Sequence, residues 1–353
     1  MKLLIVTQKV DLDDPILGFF HEWIREFALK CEYVTVICLE KGAYDLPENV
    51  KVLSLGKEKK RRKLALVATF LKYVWKERHN YDSVFVHMNP IYIVISGVLW
   101  RLLHKKISLW YSHKSVDMKL RVATFFSHIV FSSSKASFKL PTKKIIIVGH
   151  GIDIHSKDKG GKKSDNMSCL SIGCVGRISR IKRQDILIDA VSLLSKKIDK
   201  KIKIFFVGDV GGEKDVLYKK QLKEKISIKG IKDSVQFLGN ISHDKIQDFY
   251  RNVDITVNLT PEGGMDKVVL ESISLLVPAF TSNTAFDDFF GTYKEKFIFS
   301  YDNAEDLSDH IFDYLHVKNN FDMNRELSLK VKLEYSVEAV VSKIISTLNY
   351  NQI

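Results

Sequence analysis

A chain of 353 residues is longer than one hydrophobic core usually organises, and at roughly 100 to 200 residues per domain it points to two domains, each able to bury a core. Its hydrophobic, aromatic and charged fractions, 45%, 11% and 27%, exclude a disordered or fibrous chain. The net charge of +13 suits anionic partners such as nucleic acid, phospholipid or a pyrophosphate-bearing substrate, without choosing among them.

Short β-branched runs alternate with longer helix-period segments from end to end, the pattern of parallel sheets joined by crossover helices. Met1 leads directly into the first apolar run, 2–6, with no separate signal region, which predicts a protein that stays inside the cell. The turn after that run, Thr7-Gln8-Lys9-Val10 to Asp13-Asp14-Pro15, holds a single Gly18 and no GxGxxG, which disfavours a nicotinamide or flavin enzyme. Gly18 stands at the start of a predicted helix, 19–28, where it either admits an anion or sugar to backbone amides or simply turns the chain. Further strands are predicted at 33–39, 50–55, 83–87, 107–111, 129–132 and 145–148.

Between them, Lys57, Lys59, Lys60, Arg61, Arg62 and Lys63 run into Leu64, Val67, Ala68, Leu71, Val74 and Trp75 at helical spacing, in a predicted helix over 64–78. This is either a basic amphipathic membrane-surface helix or a core-packed helix entered through a solvated basic loop. The longest apolar stretch, 84–100, contains His87, Asn89 and Pro90, and reads as a strand and a buried helix, not a membrane span. Cys31, Cys38, Cys169 and Cys174 show no metal-binding spacing and read as reduced core thiols.

The polar segment 156–166, with Lys157, Gly160, Gly161, Lys162 and Lys163, behaves like an interdomain linker. The pattern then restarts, with strands predicted at 169–175, 202–207, 235–238, 255–258 and 277–281 and helices at 185–196, 216–228 and 266–275. The expected fold is α/β: two Rossmann-like doubly wound parallel-sheet domains facing a cleft, over 1–155 and 167–335, with a last segment at 336–353.

Two stretches of the second half carry chemistry. Gly176-Arg177-Ile178-Ser179-Arg180-Ile181-Lys182 lies between a predicted strand and helix, and two cations five residues apart can clamp a diphosphate and stabilise its departing charge. In Thr260-Pro261-Glu262-Gly263-Gly264-Met265-Asp266-Lys267, a glycine pair before a helix frees backbone N–H groups, and the carboxylate of Glu271 one turn in can bond paired ribose hydroxyls.

The first stretch resembles the Gly-Arg-(x)4-Lys signature of family 4 glycosyltransferases of the GT-B fold, which implies that Arg177 and Lys182 bind the donor diphosphate. The second resembles that family's pair of glutamates seven residues apart, with Glu271 at the second position. The first position falls at Gly263, with Glu262 one residue early and Asp266 three residues late, so the nearest likeness is a branch with a Gly-Gly-x-Asp-Lys loop. There Gly264, Met265, Asp266 and Lys267 would line the donor-sugar site.

Gly149-His150-Gly151-Ile152-Asp153 is similar to the family's Asn-Gly-Ile-Asp turn, and Phe237-Leu238-Gly239 to its nucleobase loop. Tyr335-Ser336 and the run after it look like the helix that crosses back to the first domain. In Tyr111-Ser112-His113-Lys114, the likeness makes His113 the first-domain histidine that reaches the donor sugar, with His87 a second candidate. The implied enzyme is a retaining glycosyltransferase with a nucleoside-diphosphate sugar as substrate, no tightly bound cofactor and no metal, since the Asp11-Leu12-Asp13 pair lies in the first half. The implied acceptor is a glycan or a polyprenyl-diphosphate carrier, with the protein cytoplasmic and peripheral on the inner face of an anionic membrane. A nucleotide-sugar epimerase and a non-catalytic donor-binding subunit share these features. No zinc-finger or RNP motif supports nucleic acid as the partner.

Overall fold

The computed structural model describes residues 1–14, 16–154, 169–261, 263–317 and 320–350. The expected linker and Glu262 lie outside them.

The first sheet has seven strands: β1 (Lys2–Val10), β2 (Tyr33–Lys41), β3 (Val50–Ser54), β4 (Ser83–His87), β5 (Lys106–Trp110), β6 (Ile129–Ser132) and β7 (Ile145–Ile147). Their order is β3-β2-β1-β4-β5-β6-β7 and every pairing is parallel, with Leu3 opposite Val34 on one side and Ser83 on the other. Alternation along β1 sorts its side chains onto two covered faces. Leu3 and Ile5 pack with Phe20, Trp23, Ile24 and Phe27 of the helix Phe20–Lys30 and with Val340, Val341 and Ile344 of the helix Val337–Tyr350. Leu4 and Val6 pack with Phe70 and Val74 of the helix Lys63–Lys76, Ile93 and Trp100 of Ile91–Leu102, and Leu120 and Ala123 of Met118–Phe126. The apolar stretch 84–100 is thus a strand and a helix, and among the described residues no helix is long and apolar enough to cross a membrane.

The second sheet runs β10-β9-β8-β11-β12, again all parallel, with β8 (Cys169–Val175), β9 (Lys201–Val207), β10 (Val235–Gly239), β11 (Ile255–Asn258) and β12 (Ala279–Thr281). β12 starts two residues later than its apolar run suggests, because Pro278 has no N–H to give a ladder. Pro278 still contributes its carbonyl, which accepts from Thr256 N at 2.9 Å.

The chain forms two compact units, Met1–Asp153 with Glu334–Ile353, and Ile154–Leu333. In the first, Ile152 N donates to Tyr335 O at 2.7 Å and Val337 N to Ile152 O at 3.0 Å, tying the returning segment to the end of the 149–153 turn. Lys106 Nζ caps the helix Val337–Tyr350 by donating to Leu348 O at 2.6 Å. Gly151, at φ +65°, turns where a Cβ would fall 2.2 Å from the Trp23 ring, so only glycine fits. Both sheets are doubly wound, with the strand order reversing between β1 and β4 and between β8 and β11. The carboxyl ends of the strands beside such a reversal are where open α/β sheets place ligands.

Candidate active site

In the second unit the reversal gathers the two loops singled out above. The loop after β8 carries Arg177 and Lys182, and the loop after β11 carries Thr260 and Asp266 just before the helix Lys267–Ser274. Lys182 Nζ donates to Asp266 Oδ2 at 2.7 Å and to Thr260 Oγ1 at 2.8 Å. Asn258 Nδ2, at the end of β11, reaches the same carboxylate oxygen at 2.8 Å, and Thr260 Oγ1 donates to it at 2.5 Å. All three donors converge on Oδ2, and none of them uses Oδ1. Burial pushes the Asp266 carboxyl upward, but the Lys182 charge and the bonds from Lys182, Thr260 and Asn258 outweigh it and hold its pKa below the ordinary 3.8.

Arg177 is held differently. Its side chain is 60% exposed, with Nε 3.7 Å from Asp215 Oδ2, while Gln184 Nε2 fixes the backbone by donating to Arg177 O at 3.0 Å. The platform beneath is glycine. A Cβ on Gly208, at φ +122°, would lie 2.2 Å from Gly176 O, so the ends of β8 and β9 can approach only without one. Gly208 N continues the platform to β10, donating to Gly239 O at 2.7 Å beside the exposed Leu238.

The Gly263-Gly264-Met265 segment is braced from β12: the buried Asn283 donates from Nδ2 to Gly264 O at 2.9 Å, and Met265 is buried. One turn into the helix, Glu271 Oε2 accepts from the hydroxyl of the fully buried Tyr250 at 3.1 Å. Loss of solvation around the Lys267 ammonium, countered only in part by Glu271, pushes its pKa down to about 8. Asn258, Thr260, Asn283, Tyr250 and Gly208 are absent from the sequence-based set. Thr260 and Asn258 border the glycine-pair loop, and that adjacency is the one signal that could have found them.

In the first unit, Gly18 N donates to Asp14 O at 3.0 Å, and a Cβ there would come within 2.6 Å of the same oxygen. The Asp14 carboxylate orders this turn by accepting from Ile16 N and Leu17 N at 2.9 and 2.7 Å. Lys9 Nζ bridges Asp14, Asp11 and Glu40 at 2.8, 3.1 and 3.3 Å, so Asp11 of the Asp-x-Asp pair is engaged by the lysine near the end of β1. Among the described residues, no group of three or more His, Cys, Asp or Glu is disposed to hold a metal ion.

His113, after β5, is exposed, and its Nδ1 accepts from Ser115 N at 3.0 Å, which leaves the proton of the neutral ring on Nε2. His87, by contrast, is buried at the end of β4, stacked on Phe20 at 3.9 Å and on Trp110 at 5.3 Å, with Nδ1 3.3 Å from Thr7 Oγ1. It is packed as a core aromatic.

Residues 156–329, just under half the chain, match the model of the family described as glycosyl transferases group 1. No curated protein sequence matches the chain. Among solved structures, HepE of Anabaena in complex with UDP is similar with a TM-score of 0.75 and 18% identity, covering 99% of this chain and 100% of its own. A glycosyltransferase from Rickettsia africae gives 0.76 at 14% identity over 99% and 98%. Sucrose-phosphate synthase from Thermosynechococcus elongatus gives 0.70 at 13% identity over 99% of each. At such identities the likeness is one of fold, the two doubly wound units of GT-B proteins. The family match and the paired cation loop coincide in the second unit, which the model of the group 1 glycosyl transferases covers almost end to end, and the chain is similar to the enzymes of that family.

Proposed function

We propose that the protein transfers a sugar from a nucleoside-diphosphate donor to a hydroxyl of a glycan or lipid-linked acceptor, with the retention of anomeric configuration that the family resemblance implies. The observation that carries this reading is the convergence of Lys182, Thr260 and Asn258 on one oxygen of Asp266, beside an exposed Arg177, at the strand reversal of the second sheet. The cage aims Lys182 without a ligand having to order it, and Asp266 Oδ1 is placed to accept from a donor-sugar hydroxyl. Arg177, held loosely by Asp215, can turn to the diphosphate, so that both cations meet charge as it develops on the leaving group.

The remaining roles are those the family resemblance suggests. Leu238 offers an apolar edge to the base, Gly263, Gly264 and Met265 offer backbone N–H groups ahead of a helix, and Lys267 borders the donor sugar. Glu271, steadied by Tyr250, would take the ribose hydroxyls. In the first unit the resemblance names Gly18 and His113, and Asp11 is already paired with Lys9, which leaves neutralisation of the leaving group to Arg177 and Lys182. Anabaena HepE has been solved with UDP-glucose, which makes uridine diphosphate sugars the first donors to test.

Steady-state kinetics on a nucleotide-sugar panel should show Arg177→Ala and Lys182→Ala each lowering kcat/KM about 100-fold or more, the first at unchanged Tm and the second in a folded protein whose Tm drops with the loss of the Asp266 ion pair. Near-normal turnover in both would remove the assignment. Activity should survive EDTA, and a loss restored by magnesium or manganese would refute charge neutralisation by these two side chains alone. A lipid-linked acceptor places the protein on the inner face of the cytoplasmic membrane, and the basic 57–63 segment ahead of the exposed Leu64 and Trp75 suits an anionic surface there. Vesicle co-sedimentation should weaken when Lys59, Lys60, Arg61 and Arg62 are changed together to Gln. Equal binding by the two proteins contradicts that role.

A further inference from the structure

Positive charge is not spread evenly over the first unit. Residues 83–150 hold ten lysines and arginines against one carboxylate, Asp117, a net +9 in a chain whose total is +13. Arg101, Lys105, Lys106 and Lys144 donate to the carbonyls of Phe126, Tyr81, Leu348 and Ser127, bonds that fix these side chains and leave their charge uncancelled.

The helices Ile91–Leu102 and Met118–Phe126 from this region lie side by side on one face of the sheet: Arg101 Nε reaches Phe126 O at 2.9 Å, and a Cβ on Gly97 would come within 2.7 Å of the Phe126 ring. Their inner sides fill the core. On their outer sides Leu102, Met118 and Phe125 are each 70% exposed or more, with Val98 one turn before Leu102 also exposed. Lys119 and Arg121 are exposed among them. Single exposed apolar side chains are ordinary, but a group of large ones on adjoining helices, in a stretch of chain with ten cations and one carboxylate, is a surface with a partner. The helix Lys63–Lys76, on the same face of the sheet, exposes Leu64 and Trp75 as well.

We propose that this helical layer docks on an anionic lipid surface, with Phe125, Met118 and Leu102 entering the acyl boundary and Lys119 and Arg121 at the headgroups. Apolar side chains that penetrate and cations that meet phosphate are the two contributions interfacial helices combine, and the scarcity of carboxylates removes the repulsion an anionic surface would otherwise meet. The inference extends the membrane reading of the 57–63 segment, because it puts insertion on two other helices.

The test uses the full chain with vesicles of phosphatidylcholine, alone or mixed with phosphatidylglycerol. Trp23, Trp100 and Trp110 are buried and Trp75 is exposed, so in a Trp75→Phe background a Phe125→Trp change supplies the one exposed indole. Its emission should shift to the blue with the mixed vesicles and not with phosphatidylcholine alone. Leu102→Ser with Phe125→Ser, and separately Lys119→Gln with Arg121→Gln, should each lower co-sedimentation about tenfold or more at unchanged Tm, the second pair losing its effect in high salt. Retained sedimentation with no shift at position 125 overturns the inference and leaves the 57–63 segment as the contact. Absence of any vesicle binding overturns both.

Discussion

Asp266 collects three donors on one oxygen, and its behaviour with pH follows from that. Its pKa lies below 3.8 in the folded protein, so the stabilisation is complete at neutral pH and disappears as the pH falls through the folded value. Asp266→Asn should cost about 1–3 kcal/mol near pH 7, since it leaves Lys182 half-buried without its counter-ion. The Tm gap between wild type and variant should hold from neutrality down to about pH 5 and close below pH 4. A gap that stays constant into acid rules out the ion pair as its source. The two partners of this pair are each visible in the sequence, one in a cation loop and one after a glycine pair. That they meet at 2.7 Å is not visible, because they stand on loops after different strands and only the β8–β11 pairing brings the loops together. Asn258 and Thr260 reach Asp266 within their own loop, so their place beside the glycine pair is the signal the sequence offers for them.

Elements are more legible than contacts. Runs of β-branched residues mark β4, β6, β8 and β11 with the bounds observed, because a strand covered on both faces needs an unbroken apolar run. Ends set by backbone partners are harder to place. β2 continues through Glu40 and Lys41, where pairing with Lys9 and Val10 of β1 extends the ladder past the apolar stretch. The junctions at strand ends carry their own test. Gly208→Ala would drive a Cβ into Gly176 O and force a left-handed φ on an L-residue, so it should lower stability by about 2 kcal/mol or more and raise the donor KM by displacing the backbone beside Arg177. Thermal melts and kinetics with the donor check both effects, and a variant matching wild type in each would show that the two strand ends have slack. In the helix Val337–Tyr350, Val341→Asp would bury a charge in the core shared with Trp23 and Phe27, and the first unit should then fail to melt cooperatively.

For the molecule as a whole, alternation of strand and helix makes two parallel sheets expected, and two are found. What alternation does not reveal is that the helices of the cation-rich stretch 83–150 lie on one sheet face with large apolar side chains exposed. Nor does it reveal that the first unit needs the end of the chain. Val337, Val340, Val341, Ile344, Ile345 and Leu348 complete the core cluster around Trp23, and Ile152 pairs with Ser336, so excision of 154–333 with a short glycine-serine joint from Asp153 to Glu334 should leave a unit that melts cooperatively. Residues 1–153 alone should not. If they did, the returning helix would be an ornament of that core.

The same discontinuity sets an order of events during synthesis. A ribosome that has made Asp153 has produced seven strands of a sheet and the helix Phe20–Lys30, but not the helix that covers the apolar side of that pair. The second unit, continuous in sequence, can fold as it emerges, while the first must wait with Trp23, Ile24 and Phe27 uncovered until the final helix leaves the exit tunnel. Chaperone demand should therefore fall on the half of the protein that is translated first, and a premature stop that removes the helix Val337–Tyr350 should damage the unit begun at the amino end and leave the second unit intact.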